Sequence, residues 1–175
     1  MHLKRTLAAL LLTLCWMVRA LAGPELLPLE DGVSHAGFTL PDLQDRPHAL
    51  ADYRGKVVLV NFWATWCPSC IHEMPDLKQL AKTLEDEPFE ILTVNVGEQK
   101  FRVWKFLRLV DFDLPVLLDS RKEVFTAWEL TVLPTSFLLD RNGRIRYRVQ
   151  AAPQWDGEAT LAVIRQLLAE PVSTQ

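Results

Sequence analysis

The stretch FWATWCPSC, Phe62–Cys70, sets two cysteines two residues apart, directly behind Phe62, Trp63 and Trp66. The residues leading into it, KVVLVNFWA from Lys56 to Ala64, are a continuous apolar and β-branched run. That pattern predicts a central strand buried on both faces. Behind the cysteines the period changes. Met74, Leu77, Ala81 and Leu84 recur on one helical face, so a helix is expected to start near Cys67. Pro68 suits its first turn, and Pro75 is expected to kink it. Strand, Cys-x-x-Cys and helix in that order decide how the rest of the chain is read.

Outward from this unit, strands and helices alternate. FEILTVNVG reads as a second buried strand and EQKFRVWKFLRLV as a helix. LPVLLD follows as a strand, with a short helical piece around Val124–Trp128. TSFLLDRNGRIRYRVQ reads as a hairpin turned at Asp140–Gly143, and GEATLAVIRQLLAE as a terminal amphipathic helix. Upstream, GFTLPDLQDRPHAL predicts two short strands around a turn at Asp45–Pro47. Parallel strands joined by helices, plus an antiparallel hairpin, make a mixed α/β sheet. Trp104, with Phe101 and Leu107, has helical spacing and is expected to face the core. Arg144, Arg146 and Arg148 alternate with Ile145, Tyr147 and Val149, which puts the arginines on one strand face, expected to be solvated.

The start of the chain reads as an address rather than as fold. Lys4 and Arg5 precede an apolar run from Thr6 to Val18, and small residues stand at Ala20 and Ala22. This predicts a secretory signal over residues 1–22, the alternative being an uncleaved membrane anchor. Residues 23–36 are expected to be a lead-in, 37–170 the domain and 171–175 a tail. The 175-residue chain has 19 basic and 22 acidic residues, a net charge of −3. Loss of Lys4, Arg5 and Arg19 with the leader takes it to −6, which argues against general nucleic-acid binding. Cys15 leaves too, so Cys67 and Cys70 become the chain's thiols, in an exported, oxidising compartment.

Such a pair could hold metal, staple the fold or carry electrons. Structural zinc wants four ligands, commonly two spaced pairs, and here there is one pair with only His72 nearby. A disulfide closing so short a loop removes little unfolded-state entropy. The redox reading gives each part a reason. A cysteine at a helix N-terminus faces unpaired amides and the positive end of the dipole, which favours the thiolate of Cys67. Cys70, one turn on, can resolve the mixed disulfide that Cys67 forms.

Together, VVLVNFWATWCPSC…MP and the downstream VLPTSFLLDRNGRI resemble the thioredoxin superfamily, and more closely its exported TlpA-like and ResA-like thiol–disulfide reductases. The resemblance runs from about Phe38 to Ala169. It implies a thioredoxin fold: a mixed central sheet flanked by helices, with an N-terminal β-hairpin extension. It implies that Pro134 is a cis proline beside the redox pair, that the backbone at Leu133 pairs with an extended partner segment, and that Trp66 and Pro68 border the same contact surface. Pro75 matches the family's helix-kinking proline. One position departs from the pattern. Thioredoxins carry a buried Asp in the strand before the pair, and this chain has Asn61, which has no titratable group. The TlpA-like group often has a Glu three residues after the second cysteine, and Glu73 matches it; the bland alternative is a solvated helix carboxylate.

The resemblance implies an enzyme that needs no cofactor or metal. It exchanges thiols with a disulfide-bearing envelope protein such as an apo-cytochrome c, in the periplasm, and takes electrons from a membrane thiol transporter. Two rivals stand beside it. A thiol peroxidase would carry P-x-x-x-T-x-x-C, but Val60 and Ala64 occupy those Pro and Thr positions. A copper-carrying assembly factor would use C-x-x-x-C and a distant histidine further along the chain; here the spacing is C-x-x-C and no histidine follows His72.

Overall fold

The computed structural model describes residues 26–33, 37–150 and 153–172. The leader expected over 1–22 and residues 173–175 of the expected tail lie outside them. Six strands form one sheet in the order β1-β8-β7-β4-β5-β6. They are β1 (Leu27–Val33), β4 (Val57–Trp63), β5 (Phe89–Val96), β6 (Val116–Asp119), β7 (Thr135–Leu139) and β8 (Ile145–Gln150). β4, β5 and β6 run parallel, while β7, β8 and β1 add antiparallel pairings on the other side of β4. The helices are α1 (Pro68–Thr83), α2 (Lys100–Leu107), α3 (Glu123–Ala127) and α4 (Glu158–Ala169).

β4 lies between β5 and β7 and every one of its residues is buried, as a run that is apolar but for Asn61 requires. Its alternate residues serve different layers. Val58, Val60 and Phe62 pack with Leu92, Val94, Phe137 and Trp128 on the face covered by α3 and the N-terminal hairpin. Val57 and Leu59 pack with Leu77 and Leu80 of α1 and with Ile164 and Leu167 of α4 on the other. Trp63, at the end of the strand, packs with Cys67, Cys70 and Met74, and with Val103 of α2. The strand therefore delivers the cysteines to the edge of a core that is sealed on both sides.

The hairpin extension is β2 (Thr39–Pro41) and β3 (Pro47–Ala49), followed by a 3-10 turn at Leu50–Tyr53. Its turn is organised by buried Asp42. That carboxylate accepts the backbone N–H groups of Gln44 (2.7 Å) and Arg46 (2.9 Å) and the Arg46 Nε–H (2.8 Å). Asp42 also bridges to Leu117 of β6, and the Phe38 ring packs tilted against Trp128 with centroids 5.7 Å apart, so the extension is anchored to the sheet.

Three sequence expectations need correction. The lead-in expected over 23–36 supplies β1, an edge strand whose pairing groups come from β8, with Leu27 opposite Arg148. The arginines of β8 are not a plain solvated face. Arg146 pairs with Asp140 and Glu170, and Arg148 lies 5.7 Å over the ring of Phe137. Third, Phe101 and Trp104 are not core. The inner face of α2 is Val103, which is buried, with Phe106 and Leu107 packed behind it; Phe101 and Trp104 point to solvent. Pro75 lies within α1 and does not end it.

Candidate active site

β4 ends at Trp63, and the chain turns through Ala64–Cys67, with the Cys67 N–H donating to Ala64 O at 3.1 Å. Cys67 is the N-cap of α1 and Pro68 occupies the first turn. Proline costs nothing there because that N–H has no helical partner. The Cys67 Sγ accepts the N–H of Cys70 at 3.3 Å, as an N-cap oxygen would, and lies 3.5 Å from Ser69 Oγ. Cys67 and Cys70 form a disulfide across a Cα–Cα distance of 5.3 Å. Both are enclosed, Cys67 at 4% exposure and Cys70 at 1%. Trp66, by contrast, is 61% exposed. Pro68 is exposed as well.

The turn ahead of Cys67 is clamped from β5. Glu98, buried just beyond that strand, accepts both the N–H and the hydroxyl of Thr65 at 2.6 Å. It also accepts the amide of Asn95 at 2.9 Å and pairs with Arg102 Nε at 2.8 Å. Burial alone would raise its pKa; the Thr65, Asn95 and Arg102 donors outweigh that and hold it low. Glu98 and Arg102 carried no signal in the linear sequence.

On the opposite side, the Leu133–Pro134 peptide bond is cis, and Pro134 is buried. Leu133 packs against the cluster that contains Cys67 and Cys70, so this loop lies beside the pair. Val132, next along, is exposed.

Glu73 is not a solvated helix carboxylate. It is 1% exposed, one turn beyond Cys70 on the buried side of α1. Asn61 donates its amide to Oε1 at 2.7 Å and also to Ser136 Oγ at 2.9 Å. The Trp155 indole N–H donates to Oε2 at 2.9 Å. Both oxygens thus face neutral donors and, among the described residues, no cation. Burial raises the pKa to about 7, the two hydrogen bonds pull the other way, and Asp76 adds a small repulsion. The residue that replaces the thioredoxin Asp therefore holds this carboxylate. Trp155, which stands 82 residues from Glu73, was invisible to spacing arguments.

A cavity of about 920 Å³ runs along α1 past Ile71, Met74, Pro75 and Lys78 to Leu114. It borders the turn after Cys70 but is not lined by Cys67, Glu73 or Pro134. Among the described residues, no group of three or more His, Cys, Asp or Glu side chains is placed to hold a metal ion. Nor, among them, is any helix long and apolar enough to cross a membrane.

A mixed sheet with its cysteine pair closing the first turn of α1, against a cis-proline loop, defines a thioredoxin-fold dithiol–disulfide protein. The AhpC/TSA family profile matches residues 32–148, and the chain belongs to that family. It is 43% identical over 115 residues to the thiol–disulfide oxidoreductase ResA of Geobacillus thermodenitrificans, covering 66% of either chain. It is 35% identical over 117 residues to ResA of Bacillus subtilis, covering 67% of this chain and 65% of that one. The chain thus matches just under two thirds of the length of these relatives. A solved Chlorobium tepidum structure, described as the thiol:disulfide interchange protein DsbE, superimposes with a TM-score of 0.74 at 29% identity. That likeness covers 81% of this chain and 99% of the other.

Proposed function

We propose that the protein is an exported thiol–disulfide oxidoreductase that reduces disulfides in other proteins. The observation that carries this is the Cys67–Cys70 disulfide closing the N-terminal turn of α1, one turn from a buried Glu73. The names of the ResA relatives support the activity class.

In the reduced protein, the Cys67 thiolate is stabilised by the amides and dipole of the α1 N-terminus. It attacks one sulfur of the partner's disulfide. A Cys67–partner bond forms, the partner's S–S bond breaks, and its second sulfur leaves as a thiolate. Cys70 then loses its proton to Glu73, whose pKa near 7 suits a base at neutral pH. The Cys70 thiolate attacks Cys67 Sγ, the internal disulfide forms, and the partner departs with both sulfurs reduced. Two electrons have passed to the partner, and a thiol donor, a membrane thiol transporter on our reading, restores the pair. Trp66, Pro68, Leu133 and Pro134 border the contact surface, and the Leu133 backbone is the group we assign to pairing with an extended partner segment. A periplasmic disulfide-bearing protein, apo-cytochrome c among them, is the substrate class that the family resemblance suggests.

A peroxidase of the same fold is the weaker reading. The positions three and seven residues before the attacking cysteine, Ala64 and Val60, are buried and offer no hydroxyl to a peroxide. A copper carrier lacks a third ligand among the described residues. The test is stoichiometric. Fully reduced protein, mixed with an excess of an oxidised model protein, is expected to lose both thiols as one partner disulfide opens. No transfer to a protein disulfide, with rapid turnover of peroxide, would select the rival. Export is tested separately: N-terminal sequencing from the native envelope is expected to begin at Gly23, and an intact Met1 in the membrane fraction contradicts cleavage.

A further inference from the structure

Cys67 is 4% exposed, so a partner disulfide reaches its sulfur only when the partner is seated on the surrounding surface. That surface does not end at Trp66 and Val132. Arg102 of α2 bonds Thr65 Oγ1 at 3.2 Å, and Thr65 immediately precedes Trp66. Phe101, beside Arg102, is 71% exposed and stacks at 6.0 Å on Trp104, which is 44% exposed. Leu109 is exposed too, and Arg108 lies 5.0 Å over the Trp104 ring. This face belongs to a segment, Lys100–Val110, whose charged residues are all basic, in a chain whose net charge is negative. Lys100 and Arg102 are neutralised by Asp45 and Glu98. Lys105 and Arg108 have no carboxylate within ion-pair distance among the described residues.

We infer that the outward face of α2 and of the turn that follows it, formed by Phe101, Trp104, Lys105, Arg108 and Leu109, is a second docking point for the redox partner, and that it takes an acidic, apolar segment flanking the partner's cysteines. The inference rests on the reductase reading above. Charge decides the chemistry: two cations with no carboxylate partner among the described residues, set among exposed rings, favour carboxylates with apolar neighbours. Position favours a protein over a lipid surface. A bilayer seated on α2 would also cover the turn that α2 holds through Thr65, and would block access to Cys67.

The experiment uses the reduced full chain and three probes at low ionic strength. Two are peptides sharing one cyclic disulfide, flanked either by Glu and Leu or by Lys and Leu. The third is hydroxyethyl disulfide, which is too small to reach α2. The Glu-flanked peptide is expected to react roughly tenfold faster than the Lys-flanked one, as charge steering allows. Lys105→Glu/Arg108→Glu is expected to abolish or invert that preference, and Phe101→Ser/Trp104→Ser to slow both peptides. Both variants are expected to leave hydroxyethyl disulfide unaffected, which also shows that they fold. Normal reaction with hydroxyethyl disulfide but no peptide preference overturns the inference alone. No reaction with any of the three probes removes the reductase reading, and this inference with it. Binding of the wild type to phosphatidylglycerol vesicles, lost in the charge-reversed variant, assigns the face to a membrane and also overturns it.

Discussion

Glu73→Gln tests the carboxylate at the centre of the site, and its effect on stability can be worked from the structure. The carboxyl titrates near 4.5 when unperturbed and at about 7 in the fold, because burial disfavours its charge. At about 1.4 kcal/mol per pH unit, keeping the ionised form buried costs about 3 kcal/mol. The sign follows from linkage. A raised folded pKa means that this group's contribution is fully present below pH 4.5, is lost as pH rises to about 7, and is constant above. Glutamine does not titrate and can be accommodated. If the Asn61 amide turns over, its Oδ1 accepts both the new amide and the Ser136 hydroxyl, while the Trp155 N–H keeps an oxygen acceptor. Urea unfolding of both oxidised proteins is the assay, since the disulfide keeps the cysteines from titrating and other groups cancel in the difference. The stability of the variant relative to wild type is expected to rise by about 3 kcal/mol between about pH 4 and pH 8. In single-turnover kinetics, Glu73→Gln is expected to slow resolution of the mixed disulfide by roughly 10–100-fold and leave the first attack unchanged. A pH-independent stability difference would refute the buried-charge argument, and unchanged resolution would remove Glu73 as the base.

Trp155→Phe removes one donor to the ionised carboxylate, so the Glu73 pKa is expected to move above about 7 and the pH profile of resolution with it; a profile that stays put or moves down contradicts this. Alkylation of the reduced protein against pH is expected to show Cys67 titrating below the ordinary thiol value of about 8.5, and faster modification of Cys70 at neutral pH would reverse the assignment. Trp128→Ala is expected to cost about 3–5 kcal/mol in urea unfolding, because that ring joins Phe38 of the extension to Phe62 and Phe137 of the sheet. A loss under about 1 kcal/mol would mean that the aromatic cluster does not tie the extension to the domain.

The parts of the fold legible in the sequence are those specified by neighbours along the chain. The β4 run is buried on both sides, so nothing in it alternates. The α1 start is marked by Cys67 and Pro68, and the β7–β8 turn by Asp140 and Gly143. β1 was not legible, because Pro28 and two acidic residues hide a strand whose partners arrive from β8, more than a hundred residues away. The segment Lys100–Val110 carries two apolar stripes, Phe101–Trp104 and Val103–Phe106–Leu107. Helical spacing identifies a face; only the sheet decides which face it covers, and here it covers the second. In the site, Glu73 was found by its position three residues after Cys70, but the cause of its raised pKa was not. Burial produces that shift, with the cysteines already joined as a disulfide. Glu98 and Trp155 were missed because each acts across the fold on residues far away in sequence.

In the proposed exchange Cys67 attacks and Cys70 resolves. Its most direct test reacts the reduced Cys70→Ser and Cys67→Ser proteins with one oxidised model protein, followed by intact-mass analysis and peptide mapping. A long-lived mixed disulfide through Cys67 is expected in Cys70→Ser and almost none in Cys67→Ser. Accumulation through Cys70 in Cys67→Ser, or no adduct in either protein, would contradict it.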